Sequence, residues 1–450
     1  MNLIYGIKDK PKFGQIILFA IQQLLAIMAA TIAVPAVVNS AMGTALTASA
    51  AIFGAGCGTF VYLLFTKSSS PVFLGSSFAF LGSMAAAFAG GVSASAGYLG
   101  LIIGAVFAGL VYVLLALIVK IAGVKWINKL MPAVVIGPTV AIIGLSLAGN
   151  AIGDLQKGNV THMVDGAAVQ SASTYLCILC GLVTLAVVII CSVYGKKMAK
   201  MIPFIIGIVA GYALAAVFTL IGNVADISAL QIINFDAFNH MQWYPDFTFL
   251  TAFKGFGALS GSYIATLAVA YVPVAFVVFA EHIADHKNLS SIIEKDLLED
   301  PGLSRTLLGD GVGSMVGSVF GGCPNTTYGE SVGCVAISGN ASVVTILVTA
   351  FLAIAASFVA PFVTFLSTIP SCVMGGVCIS LYGFIAVSGL KMLQPVDLNQ
   401  HKNLFVASVI LITGIGGLTI SFGKVTITTI ACALILGILT NLLVKNGKEE

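Results

Sequence analysis

Between Gly321 and Gly339 the chain reads Gly-Gly-Cys-Pro-Asn-Thr-Thr-Tyr-Gly-Glu-Ser-Val-Gly-Cys-Val-Ala-Ile-Ser-Gly, with apolar runs on both sides. Pro and repeated Gly make this stretch too short and too broken for an ordinary spanning helix. Irregular backbone at membrane depth survives only where protein buries it or where it lines a cavity. Any fold for this chain must therefore enclose the stretch. Interrupted segments at corresponding places in two halves of a membrane protein also point to a binding site.

The surrounding chain is apolar from end to end. Hydrophobic residues make up 59 % of the 450 and charged residues 8 %, with a mean hydropathy of +1.07. Soluble domains carry about 25 % charged residues, so the composition describes an all-α polytopic membrane protein. The net charge of +3 is spread over loops and gives no reason to expect a nucleic-acid partner. The basic start, Met1 to Lys12, runs into a full-length apolar stretch and does not read as a cleavable leader. The nine cysteines fall in or beside apolar segments and read as small buried hydrophobes. Cys177-Ile-Leu-Cys180 lacks the second ligand pair of a zinc site, so no metal or cofactor is expected. A membrane-embedded enzyme would need a metal or nucleophile cluster, and the one His and acid grouping, Glu281 to His286, is poor in ligands.

At about 20 apolar residues per crossing, the sequence predicts Phe13–Val38, Gly43–Phe65, a broken segment Val72–Gly90, Gly97–Lys120, Met131–Gly149, Tyr175–Tyr194 and Met201–Ile221. After a long polar connection come a span ending near His286, Leu303–Gly322, the broken Asn325–Ser338, Ala341–Phe365, Pro370–Leu390, Asn403–Ile420 and Val425–Leu443. With the amino terminus inside, 17 of the 20 Lys and Arg fall on the inner side, and only Lys157, Lys254 and Lys424 lie outside. That asymmetry follows the positive-inside rule and holds only if both broken segments cross. The expectation is fourteen transmembrane segments with both termini in the cytoplasm. Seven is odd, so two halves sharing a fold form inverted 7-span repeats, with the broken segments third in each half (spans 3 and 10).

Pro71-Val-Phe-Leu-Gly-Ser-Ser-Phe-Ala-Phe and Asn325-Thr-Thr-Tyr-Gly-Glu each read as a short β-strand followed by a half-helix. Two helix amino termini would then face one another near the midplane. Each offers unpaired N–H groups and about half a positive charge, suited to a ligand with carbonyl oxygens. Glu330 opens the second half-helix. Thr327-x-x-Glu330 also fits a capping box, so a structural and a ligand-binding role are both open. Glu281 lies in Phe279-Ala-Glu-His-Ile-Ala-Asp-His286, with Asp285 one helical turn on and His282 and His286 on a neighbouring face. If its helix spans the membrane from Tyr263, Glu281 sits at the inner edge. If the helix starts at Pro273, Glu281 lies roughly 12 Å inside. A carboxylate at depth costs several kcal/mol when charged and alone, which makes these acids candidate proton carriers. For Asp310, in Leu308-Gly-Asp-Gly, a structural and a relay role are both open. Gly54, Gly58, Gly375 and Gly376 are expected at tight helix contacts.

Pro324-Asn-Thr-Thr-Tyr-Gly-Glu330, with Gly333 beyond, resembles the signature of the nucleobase–ascorbate transporters in the form typical of bacterial uracil permeases. Leu74-Gly-Ser-Ser-Phe-Ala-Phe, Ala280-Glu-His, Lys295-Asp-Leu-Leu-Glu-Asp-Pro-Gly302, Val373-Met-Gly-Gly and Leu381-Tyr-Gly383 extend the likeness over most of the chain. The resemblance implies a core of residues 13–120 and 263–366 and a gate of residues 131–222 and 370–445, the gate supplying homodimer contacts. It implies substrate contacts from Glu281, Glu330, Phe78, Tyr328, Gly329 and, at the core–gate boundary, Tyr382. Proton coupling would involve Glu281, Asp285 or Asp310. The activity implied is uracil:proton symport into the cell across the plasma membrane by alternating access. A xanthine or urate carrier on the same fold and a passive nucleobase channel are the alternatives. Gln23 departs from a frequent His, Ser331 from a frequent Asn, and Ser338-Gly339 from a common Thr/Ser-Arg. The stretch Thr251–Tyr271 is longer than in typical relatives.

Overall fold

The computed structural model describes residues 3–123, 126, 131–164, 167–196, 198–422 and 425–444. Lys125, Lys129, Lys197, Lys424, Lys445 and Lys448, counted in the charge asymmetry, lie outside the described residues. Helix α1 (Phe13–Met42) stops at Gly43, whose φ of 65° is the left-handed conformation that glycine adopts without strain. α2 (Ala48–Phe65) starts at Thr47, whose hydroxyl accepts from the Ala50 amide. Then come a strand β1 (Leu74–Ser76), a 3₁₀ turn (Phe78–Phe80) and the short α3 (Leu81–Ala87). α4 (Ala94–Ala122), α5 (Ala133–Ser146), α6 (Ala148–Asp154), a hairpin of β2 (Thr161–Val164) and β3 (Ala167–Gln170), α7 (Thr174–Tyr194), α8 (Met198–Met201) and α9 (Pro203–Ala225) follow.

The second half begins with α10 (Thr248–Ala252), a 3₁₀ run (Phe253–Ala258) and α11 (Gly261–Ile293). α12 (Leu303–Gly321), strand β4 (Asn325–Thr327), α13 (Gly329–Ser338), α14 (Val343–Ala356), α15 (Ala360–Thr368) and α16 (Ser371–Lys391) come next. α17 (His401–Ile415), a hairpin of β5 (Ile420–Phe422) and β6 (Val425–Ile427), and α18 (Thr429–Val444) complete the chain. Among the described residues, eight helices are long and apolar enough to cross a membrane, α5 and α6 together counting as one. A ninth is gained if α14 and α15, bent by 83° at their junction, form one span. The protein is thus a mostly helical, multi-pass membrane protein. α17 and α18 are shorter apolar helices. α12, with Arg305 and Asp310 in its 19 residues, is not among the eight.

Packing divides into two neighbourhoods. α2 lies along α12 and α14, α4 against α12 and α11, and α1 against α14. Elsewhere α16 packs on α5 and α7, α9 on α7, and α17 on α5 and α18. The α2–α12 contact needs glycine. A Cβ on Gly54 would stand 2.5 Å from the Gly317 carbonyl oxygen, and one on Gly58 2.7 Å from that of Gly313. Gly375 and Gly376 are equally confined, against Leu155 and Ala151 and against Gly181. All four expected close contacts are present, and they bring backbones within van der Waals reach.

One expectation changes. α11 begins at Gly261, with Ser260 as its N-cap accepting from the Tyr263 amide, and Pro273 is inside the helix, not at its start. A proline is tolerated there because neighbouring groups in a bundle can satisfy the backbone it frees. The longer stretch Thr251–Tyr271 is divided between a pre-helical segment and the start of α11. Its first part is α10 and the 3₁₀ run, which pack on α4, with Gly255 against the Ser95 carbonyl. Phe247, Phe249, Phe53 and Phe320 close over them edge to face. At the other end of α13, residues 4–9 form a strap. The Ile4 amide donates to the Gly339 carbonyl at 2.7 Å, and Ser342 Oγ donates to the Asp9 carbonyl at 2.6 Å.

Candidate functional site

The two broken segments meet. β1 and β4 pair antiparallel with Leu74 opposite Thr327, Gly75 opposite Thr326 and Ser76 opposite Asn325. Each strand thereby satisfies backbone groups that the other leaves free, which is how non-helical chain persists in the interior of a membrane protein. Backbone and side-chain bonds pin the ladder. The Ser77 amide donates to the Pro324 carbonyl at 2.8 Å, and the Tyr328 hydroxyl to the Ser76 carbonyl at 2.7 Å. Thr59 Oγ1 accepts from the Leu74 amide at 2.9 Å, and Asn325 Nδ2 donates to the Gly54 carbonyl at 3.2 Å. Gly75 has no room for a Cβ because the Tyr328 ring lies across it.

Beside the ladder is a cavity of about 400 Å³. Its wall includes Ser77 and Phe78 from the first unit, Thr326, Tyr328, Gly329 and Glu330 from the second, and Glu281 and Asp285 from α11. Ala26, Ser192, Lys200, Phe204, Asn288 and Phe384 continue the wall. The cavity therefore holds three acids, all half-buried, and reaches the exposed Lys200 and Asn288. On the other side of Phe78 is a second crevice of about 220 Å³, lined by Leu81, Asn150 and Thr428 among others. Phe78 lines both.

Five of the six residues expected at substrate, Glu281, Glu330, Phe78, Tyr328 and Gly329, line this cavity. Tyr382 does not. It backs Phe78 edge-on, with ring centroids 5.4 Å apart, and its hydroxyl lies beside the Cys378 thiol. Asp285 lines the cavity and accepts from Thr327 Oγ1 at 2.8 Å. That bond corrects the expected capping box, because α13 has Tyr328 as its N-cap and no side-chain cap. Asp310 is enclosed elsewhere, with its Oδ2 2.7 Å from His282 Nδ1. Gln23 and Ser331, the two departures from the family pattern, are bonded to each other: Gln23 Nε2 donates to Ser331 Oγ at 2.6 Å. Ser331 Oγ also accepts from the Phe73 amide at 3.2 Å.

Sequence reasoning missed Thr326, Ser77, Asn288 and Lys200 as wall residues and His282 as the partner of Asp310. Thr326 and Ser77 lay inside the quoted motifs. Lys200 carried only a loop-charge signal, and the His282–Asp310 pairing joins two helices with no local spacing to announce it. Among the described residues no group of three or more His, Cys, Asp or Glu is placed to hold a metal ion.

A multi-pass helical bundle with an acid-lined internal cavity at two opposed half-helices has the architecture of a membrane transporter. The chain belongs to the nucleobase–ascorbate transporter family: a family model described as the permease family matches residues 14–422. It is 40 % identical over 444 residues to the uracil permease of Bacillus caldolyticus, covering 98 % of this chain and 94 % of that one. It is 36 % identical over 449 residues to the uracil permease of Bacillus subtilis (strain 168), at 99 % and 96 % coverage. The uracil permease of Escherichia coli (strain K12) is 34 % identical over 443 residues, at 98 % and 94 % coverage. These relatives are named permeases, that is, transporters and not enzymes. Among solved structures, the transmembrane domain of the cyanobacterial bicarbonate transporter BicA shares the fold with a TM-score of 0.62 at 15 % identity, covering 98 % of this chain and 100 % of that one. The murine Slc26a9 anion transporter in its inward-facing state gives 0.65 at 12 % identity, covering 97 % and 69 %.

Proposed function

We propose that this protein is a secondary-active uracil transporter that brings uracil into the cell with protons by alternating access. The observation that carries the reading is the cavity wall. Carboxylate oxygens of Glu281 and Glu330 accept from ring N–H groups, free amides at the start of α13 donate to carbonyls, and the Phe78 ring covers a flat base. Identity of 34–40 % to proteins named uracil permease supports the choice of base. The coupling proton is held among Glu281, Asp285 and Asp310.

The proposed architecture is fourteen segments in two inverted repeats, with the ladder of β1 and β4 on the pseudo-symmetric midline. Residues 13–120 and 263–366 form a core that moves against a gate of 131–222 and 370–445, in keeping with the two packing neighbourhoods. The gate pairs two copies in the plasma membrane, with both termini in the cytoplasm. Phe78, backed by Tyr382, separates the cavity from the crevice on its far side, so the state described is open toward the cytoplasm.

The test is uptake of labelled uracil by proteoliposomes under an imposed pH gradient, with xanthine, thymine and cytosine as competitors. Concentrative uptake that collapses with a protonophore and is blocked best by uracil-like bases is expected. Uptake that only equilibrates would make the protein a channel, and stronger competition by xanthine would move it to the purine carriers.

A further inference from the structure

In a 3₁₀ helix, side chains three residues apart eclipse one another. The run Phe253–Ala258, entered through α10, uses that spacing on two sides. Ala252 and Gly255 are buried, and a Cβ on Gly255 would stand 2.5 Å from the Ser95 carbonyl oxygen of α4. Leu250, Phe253 and Phe256 turn the other way and are 50 %, 60 % and 57 % exposed. The Phe253 and Phe256 rings stack with centroids 6.0 Å apart and planes at 23°. The result is an apolar ridge on the outside of a segment far shorter than the roughly 20 residues of a crossing.

α4 fixes where that ridge stands. Ser95 is in the first turn of the helix. Three helical turns further on, and so on the same side, Val106 begins an exposed apolar stripe that runs through Leu110, Leu114 and Leu117. On a helix long enough to span the membrane, such a stripe faces acyl chains. The segment thus docks at the head of the lipid face of α4. It also leads directly into α11, which starts at Gly261 and has Ile264 exposed in its first turn. Lys254, between the two phenylalanines in sequence, is exposed as well. A lysine can lay its stem along apolar surface while its ammonium stays among headgroups, and it is costly in the acyl interior.

We propose that Leu250, Phe253 and Phe256 insert at the boundary between headgroups and acyl chains of one phospholipid leaflet, making residues 248–258 an interfacial anchor that lies along the membrane surface. Phe and Leu on one face with a lysine beside them suit that boundary. The occupant is lipid because the ridge continues a side of α4 that lipid covers. In the orientation proposed above, the leaflet is the outer one. The anchor is joined to the first half-helix through Tyr263. Its hydroxyl donates to the Ala87 carbonyl at the end of α3, at 2.6 Å, and stands 3.1 Å from the Ala96 carbonyl of α4. The extra length of this part of the chain thereby acquires a task.

The proposal does not depend on what the protein carries. The test uses the full chain in phosphatidylcholine vesicles, with Trp126→Phe and Trp243→Phe removing the two native indoles. One indole is then introduced by Phe256→Trp or, separately, by Phe253→Trp. Val106→Trp, roughly 17 Å further along α4 than Ser95, calibrates depth. Lipid brominated near the headgroup should quench the ridge indole about twofold more than lipid brominated near the bilayer midplane, as expected for a face buried only ~5–10 Å. The order should reverse at position 106, and aqueous iodide should quench the ridge indole far less than free tryptophan. Iodide quenching as strong as that of free tryptophan would leave the ridge in water and overturn the proposal. Shielding from iodide without quenching by either lipid would put protein, such as a second copy, over the ridge and overturn it equally. Stronger quenching from the midplane would make the segment part of a crossing instead of an anchor. Either ridge position decides the matter if the variant at the other fails to fold.

Discussion

The unit built from Leu74–Ala87 and the unit built from Asn325–Ser338 give equal lengths of backbone to one ladder, register for register. Their side chains differ in kind. The first brings Ser77 and Phe78 to the cavity and no titratable group. The second brings Thr326, Tyr328 and Glu330, and through Thr327 it holds Asp285. One backbone device thus serves two tasks, an apolar cover that also walls off the far crevice and a set of hydrogen-bonding groups. A base held between them would owe its hydrogen-bonding specificity to the second unit and its seal to the first.

The largest effects should come from the helix contact that supports both units. Gly58 faces the Asn325 side chain as well as the Gly313 carbonyl, and Gly54 faces Gly317. Leucine at either site must part α2 from α12, at or beyond the upper end of the ~1–3 kcal/mol typical of overpacking. Little folded protein should survive in detergent chromatography. Full expression with unchanged thermal stability would break the idea that one contact supports both units.

Next in size is the polar unit. Glu330→Gln keeps the shape and removes a charge-assisted acceptor, a loss of about 1.5–3 kcal/mol, or about 10- to 100-fold in uracil Kd. Binding to purified protein reads it directly. α13 should be undisturbed, because no side chain caps it. An unchanged Kd would remove Glu330 from the ligand and leave the second unit with no advantage over the first.

The apolar unit should respond more mildly. Phe78→Leu keeps bulk but gives up the ring face over the base and the edge contact to Tyr382, worth about 0.5–1.5 kcal/mol, so about three- to tenfold in Kd. It should also let water pass between the cavity and the far crevice, seen as a raised proton leak without uracil in proteoliposomes. A loss as deep as that of Glu330→Gln would erase the distinction between the units.

Much of this arrangement was legible in the chain. Hydropathy placed most helices to within a few residues, though it ran α14 and α15 together across their 83° bend and stopped α11 short of Ile293; Pro and Gly at 321–339 marked the second unit, because composition and breakers act locally. Five of the six residues expected at substrate line one cavity, and the two broken segments and α11 that supply them carry recognisable motifs. What failed was partner choice. Thr327 and Glu330 have the spacing of a capping box, yet β4 turns Thr327 toward Asp285, a partner 42 positions away. Pro273 looked like a helix start, but Ser260 offered a better cap further upstream. Asp310 could not be placed, since its role depends on His282 of another helix. Pairings set by tertiary packing leave no trace in local spacing.

The smallest effect on ligand should come from the bond that ties the two units together outside the cavity. Ser331 Oγ sits on α13 and accepts from the Phe73 amide, just before β1, and from Gln23 Nε2 on α1. A hydroxyl oxygen has two acceptor sites, so Ser331 is filled, and Ser331→Ala strands two buried donors where Gln23→Ala strands none. Ser331→Ala should therefore lower thermal stability more than Gln23→Ala. The double variant should be less destabilised than the sum of the two, with a coupling of about 0.5–1.5 kcal/mol for the shared hydrogen bond. Uracil Kd should move by less than about threefold in all three, because neither side chain lines the cavity. Strictly additive stabilities would mean that the two departures from the family pattern are independent. A large change in Kd would mean that the tie sets the spacing of Phe78 and Glu330, and the two units would then act on the base as one.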